Sequence, residues 1–110
     1  MSQTAEKLIS NHLQATTVEA IMRDFAEEAV LITPEGTYRG FDEIGRFYKQ
    51  FLGGLPEGFF KAFKLNRQEV VGEVVFILWE ARPWVLLATD TFVVRNGKFI
   101  YQTFAAYTAP

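Results

Sequence analysis

The chain contains no cysteine, a single histidine (His12) and only two serines, Ser2 and Ser10. Without cysteine there are no disulfides, thiolate nucleophiles or Cys-based metal sites. One histidine without cysteine does not make a zinc cluster, and neither serine lies in a nucleophile-elbow motif. No glycine-rich phosphate loop or dinucleotide fingerprint is present, so no cofactor is expected. Excess charge of either sign is also lacking. The net charge is −2, with no basic stripe, and no nucleic-acid partner is expected. No uninterrupted apolar run is long enough to cross a membrane. Met1–Lys7 lacks the basic start and apolar core of a signal peptide, so the expectation is a cytoplasmic protein with no membrane association. Internal repeats, low-complexity tracts and linkers are absent as well, which predicts one domain over residues 1–110.

What the chain does have is apolar and aromatic material. Hydrophobic residues make up 49% and aromatics 15%, with 11 phenylalanines. That is rich for a domain of 110 residues. It points to a core together with an apolar cavity, a buried oligomer interface, or both.

Hydrophobic spacing predicts a helix over residues 4–15, with Ala5, Leu8, Ile9, His12 and Leu13 on one stripe. Thr16-Thr17 offers a hydroxyl cap for a second helix carrying Val18, Ile21, Met22 and Phe25, ended by Ala26-Glu27-Glu28. Ala29–Thr33 reads as a short strand stopped by Pro34, with a brief return at Thr37–Arg39. Gly40 opens a third helix with acids in its first turn; Ile44, Phe47, Tyr48, Phe51 and Leu52 form its apolar stripe and read as core. Strands are expected over Phe59–Val71 and Val74–Ala81, followed by a long hairpin, Trp84 to Tyr107, turning at Asn96-Gly97. Helices first and an antiparallel meander after them define an α+β fold.

Asp90 is the exception in that hairpin, lying between Leu87-Ala88 and Phe92-Val93-Val94. A carboxylate is costly to bury unless it is bonded, paired or protonated. Asp90 is therefore either a structural acid with partners or the working group of a pocket. His12, on the inner stripe of the first helix, is either a core histidine or an acid/base group. If the two were neighbours, the carboxylate would raise the imidazole pKa above about 6.5. Gln102 is a polar exception in the last strand, and Tyr38 and Phe104 are further lining candidates. Strand alternation sends Trp79 and Glu80 to opposite faces and leaves open which one faces inward.

The order of elements, together with Phe25-Ala26-Glu27-Glu28-Ala29-Val30, Thr33-Pro34-Glu35-Gly36 and Tyr38-Arg39-Gly40-Phe41-Asp42-Glu43-Ile44, resembles the front half of SnoaL-like domains. The turn Val71-Gly72-Glu73-Val74, Asp90-Thr91-Phe92 and Asn96-Gly97-Lys98-Phe99-Ile100 resemble the back half. These domains belong to the nuclear-transport-factor-2-like superfamily, with ketosteroid isomerase and limonene epoxide hydrolase. The resemblance implies a cone of strongly curved, mixed sheet wrapped on helices (a cystatin-like fold), a deep pocket for a small apolar or amphipathic molecule, and a homodimer through the outer sheet face. It places Asp90 where ketosteroid isomerases carry a protonated acid. It also places Ile9 where they carry a tyrosine and Thr33 where they carry a carboxylate base. Isoleucine donates no hydrogen bond and threonine is no base at neutral pH, so steroid isomerisation by that machinery is not expected. The Arg and paired Asp of limonene epoxide hydrolase do not line up. SnoaL-type polyketide cyclases use an acid/base group in such a pocket, a role open to Asp90 with His12. The rival expectation is a non-catalytic binding or association module.

Overall fold

The computed structural model describes residues 4–110. The first three residues of the expected 1–110 domain, which begin the segment read against a signal peptide, lie outside the described residues. Thr4 caps the first helix, α1 (Ala5–Gln14), its hydroxyl accepting from the Lys7 N–H at 3.1 Å. Thr17 caps α2 (Val18–Met22) through the Ala20 N–H, also at 3.1 Å. These hydroxyls satisfy donors that a helix start leaves free. No helix among the described residues is long and apolar enough to cross a membrane.

α2 stops well short of Glu28. Strand β1 (Phe25–Thr33) begins at Phe25, which pairs with Phe99, and the Phe99 N–H donates to the Asp24 carbonyl at 2.8 Å. That tertiary pairing overrides the helical spacing of Phe25. The pairing then slips between Phe25 and Val30, leaving Glu27 and Glu28 exposed. β2 (Gly36–Arg39) folds back on β1, and α3 (Gly40–Gly53) follows. Gly40 takes φ +83, and the Arg39 N–H is held by the Glu43 carboxylate at 2.8 Å. A second correction falls at Phe59. Residues Phe59–Ala62 form a helical turn, α4, entered through Gly58 at φ +86, and the strand β3 runs over Phe63–Val71.

β4 (Val74–Ala81), β5 (Val85–Arg95) and β6 (Lys98–Thr108) complete a six-stranded, curved and unclosed sheet in the order β2-β1-β6-β5-β4-β3. Only β1 and β6 run parallel; the other neighbours are antiparallel. The β5–β6 turn has Asn96 at φ 53 and Gly97 at φ 74, the paired positive values of a two-residue hairpin. Register shifts occur at Leu65/Arg67, Trp79/Ala81, Val85/Leu87 and Val93/Val94. Each such bulge bends the strand and adds twist, and together they wrap the sheet around α1 and α3.

At one end of the sheet the concave side is filled: Leu8, Ile9, Phe25, Leu31, Phe92 and Phe99 are fully or almost fully buried. The Phe92 and Phe99 rings lie 4.5 Å apart at 34°. Phe99→Ala should therefore cost about 3–5 kcal/mol in unfolding free energy, read by urea denaturation. A loss under about 1 kcal/mol would contradict this packing.

Candidate functional site

Toward α4 the concave side is not filled. A cavity of about 230 Å³ opens among α1, α3, α4 and the inner faces of β4, β5 and β6. Its lining residues include Thr16 and Phe60, both solvent-exposed, which set its mouth between the α1–α2 turn and α4.

Alternation along β4 turns Val75, Ile77 and Trp79 inward and Glu80 outward. Trp79 then forms a wall, its ring parallel to that of Phe104 (9°, centroids 6.3 Å apart). Phe51 crosses Phe104 at 83°, and Phe59 crosses Trp79 at 82°. The Trp79 indole N–H donates to Asp90 Oδ1 at 2.8 Å. Gln102 Nε2 donates to Asp90 Oδ2 at 2.8 Å, and Gln102 Oε1 accepts from the Tyr48 hydroxyl at 2.6 Å. The Gln102 amide has its direction fixed by the carboxylate, which at this oxygen takes a donor.

Asp90 is 5% exposed. Burial pushes its pKa up from 3.8 to about 6, against the opposing pull of the two donors from Trp79 and Gln102. At pH 7 the carboxylate form still leads by about ten to one. Burial first, and then the Asp90 charge, hold the Tyr48 hydroxyl protonated well above its usual range, although its bond to Gln102 pulls the other way.

His12 reaches the same cavity from α1. It is half-buried, with one side on the cavity and the rest set among Phe25, Tyr48, Phe92 and Phe99, whose ring centroids lie 5.0–6.3 Å away. Its Nδ1 is buried and has no hydrogen-bond partner among the described residues. Burial lowers its pKa from 6.5 to about 4. This is the reverse of the rise expected from a carboxylate beside it: the rings set the ionisation of His12, and Asp90 does not.

The structure thus brings His12, Trp79, Asp90, Gln102 and Phe104 to one cavity. Ile9, Thr33, Tyr38 and Glu80 lie elsewhere. Ile9 is fully buried in the core. Thr33 closes the β1–β2 turn, accepting from the Glu35 N–H and donating to the Gly36 carbonyl. Tyr38 packs on Phe47 at 5.1 Å. Glu80 faces outward to Asn66 and Arg82, and the Asn66 bond leads the lowering of its pKa. Tyr48 and Phe51, which read as core from the helical stripe alone, both line the cavity, and Tyr48 adds a polar group to it. α4 carries Phe59 into the wall where a strand was expected.

The sequence profile of the SnoaL-like domain matches residues 5–102. The chain belongs to this SnoaL-like family. No curated protein matches it. Among solved structures, a protein from Kribbella flavida DSM 17836 superposes with a TM-score of 0.77 at 15% identity, over 92% of this chain and 84% of that one. An NTF-2 like protein of unknown function from Burkholderia xenovorans LB400 gives 0.76 at 17%, over 96% and 86%. A SnoaL-like protein of unknown function from Burkholderia thailandensis E264 gives 0.73 at 17%, over 96% and 95%. At these identities the likeness establishes the fold, an α+β cone.

The two shifted groups act on stability in one pH range with opposite signs. The depressed pKa of His12 gives a contribution present above 6.5 and lost as pH falls through about 4. The raised pKa of Asp90 gives one present below 3.8 and lost as pH rises through about 6. Each is worth about 3 kcal/mol, at ~1.4 kcal/mol per pKa unit. Between pH 4 and 6 they nearly cancel. Removing either should expose the other: the stability of Asp90→Asn should climb with pH across this window, and that of His12→Gln should fall. Denaturant titrations at four pH values check this; two variants with the same pH slope would refute it.

Proposed function

We propose that the chain binds a small, predominantly apolar molecule in this cavity and moves a proton with Asp90, without a cofactor. The chemistry would be of isomerase, cyclase or hydrolase type. The observation that carries the reading is an ionisable carboxylate, held by two donors, at an otherwise aromatic surface that a ligand can reach. Its pKa of about 6 suits a base near neutral pH. Each Asp90 oxygen accepts one bond and keeps a lone pair free for a substrate hydrogen. His12, neutral at pH 7, carries one N–H and serves as donor to oxygen charge developing in the substrate. A neutral donor gives up no proton of its own, so the proton returns from Asp90.

The test needs no prior product assignment. Apolar ketones with an acidic α-hydrogen are incubated in D2O, and loss of the proton signal is followed by NMR. Wild type should catalyse the exchange, with a rate that rises as Asp90 ionises through about pH 6. Asp90→Asn should lose roughly 10²–10⁴-fold. The fold should survive this change. Gln102 reverses its amide, accepts from the introduced side-chain amide and donates to Tyr48. An unchanged exchange rate in Asp90→Asn would end the assignment. Ligand binding without exchange in wild type would leave the non-catalytic binding module as the function.

We propose further that two copies associate through the outer sheet face. Leu87 and Tyr107 are cross-strand partners at one end of it, Ile32 and Tyr101 lie further along it past Ala105 and Thr103, and all four side chains are exposed. Large apolar side chains left exposed on a sheet face favour burial against a second copy. Light scattering at micromolar concentration should give twice the chain mass, and Leu87→Glu should return it to the monomer mass. A monomeric wild type would refute the dimer.

A further inference from the structure

The cavity has a charge imbalance that narrows what it accepts. Among the described residues no Lys or Arg lines it, and the one basic residue there, His12, is held neutral by the rings around it. Its acid, Asp90, has no cationic partner among the described residues: both bonds shown there come from neutral donors, an indole and an amide. A carboxylate held away from water with only neutral donors gains most from a cation that comes to it.

The rest of the lining has the matching property. Trp79, Phe104, Phe51, Phe59, Phe63 and Tyr48 form the walls next to Asp90. Trp79 and Phe104 are parallel, while Phe51 and Phe59 stand nearly perpendicular to them, so the rings surround the space from several directions. The negative π-face of an aromatic ring attracts an organic cation, most strongly for tryptophan and where water is excluded. An anionic ligand would meet these faces and the Asp90 charge with nothing to offset either.

We infer that the ligand of this cavity is a small amphipathic cation, with an ammonium group against Trp79 and Phe104 beside Asp90 and an apolar body among the phenylalanines. This rests on the proposal above only in taking the cavity to be a ligand site. It does not depend on the proton transfer. Where both hold, the substrate's positive charge also acidifies the neighbouring C–H bonds that Asp90 would attack.

The probes are benzyltrimethylammonium, its uncharged isostere neopentylbenzene, and the anion 3-phenylpropanoate. Binding is followed through the indole N–H resonances, with Trp79 assigned by a Trp84→Phe variant. At pH 7.5 the cation should bind at least tenfold tighter than its isostere, and the anion weakest of the three. The charge of the cation is permanent, so a pH profile reports the protein. Its preference should shrink to less than threefold as pH falls below about 5, where Asp90 is protonated. Asp90→Asn should show the same loss at pH 7.5 while neopentylbenzene affinity holds. Phe104→Leu should weaken the cation more than the isostere. If Asp90→Asn does not fold, the wild-type preference and its pH profile still decide. Neopentylbenzene binding with no cation preference would overturn this inference and leave the proposed function standing. Failure of all three probes to bind would overturn both. A cation preference without catalysed exchange would uphold this inference and remove the proton transfer.

Discussion

A carboxylate taken out of water must be met by donors, and the bonds that meet Asp90 organise the whole concave side. One of its oxygens is held by Trp79, which turns that indole into the cavity and makes its ring a wall. The other is held by Gln102, whose amide is thereby oriented and passes the constraint to Tyr48 on α3. Strands β4, β5 and β6 and one helix are thus linked by three hydrogen bonds through side chains that are each at most 5% exposed. Such a network is strong because each member is satisfied, and sensitive because a lost member leaves a buried group unmet. Those demands also limit how the cavity could be filled. A larger apolar side chain in place of Gln102 would occupy space only by leaving one Asp90 oxygen and the Tyr48 hydroxyl without their partner.

The sheet's bulges place this network as much as its sequence does. In the β5–β6 hairpin, Val93 pairs with Tyr101 and Val94 with Phe99, which leaves Ile100 as an extra residue. Past that point, the inward position belongs to Gln102, 2% exposed, and Tyr101 turns outward at 49%. Without the bulge the tyrosine would face the cavity and the glutamine the solvent. The slip opposite Trp79/Ala81 falls in β5, where the extra residue lets Val85 and Ala88, three positions apart, both face inward.

Much of this architecture was legible in the chain because its signals are local. Asn96-Gly97 announced its turn, Thr16-Thr17 offered the hydroxyl with which Thr17 caps α2, and the isolated acid at Asp90 marked an inner strand position. What could not be read was decided across the sheet. Phe25 has helical spacing relative to Ile21 and Met22, yet its pairing with Phe99 makes it strand. Phe59 has the composition of a strand residue, but Gly58 at positive φ starts a helical turn there. Tyr48 lies on an apolar stripe whose only polar atom is a hydroxyl. Its role depends on Gln102, 54 residues away. For His12 the helical spacing showed the position and not the surroundings, and the surroundings reverse the direction of its pKa.

β6 is the last of the six strands in sequence, but it lies in the middle of the sheet, between β1 and β5. β1 and β2 therefore have no sheet to join until residues 98–108 exist. During synthesis the ribosome releases the helices and the first hairpin well before the strand that ties them to the rest. β3, β4 and β5 can pair as they emerge, whereas the parallel β1–β6 seam closes only once translation has passed Thr103. Non-local pairing of this kind is slow to form and exposes its partners meanwhile. The nascent chain would then carry Leu31 and Phe25 in the open until β6 arrives. A chaperone that holds apolar segments near the exit tunnel would find β1 still open until then.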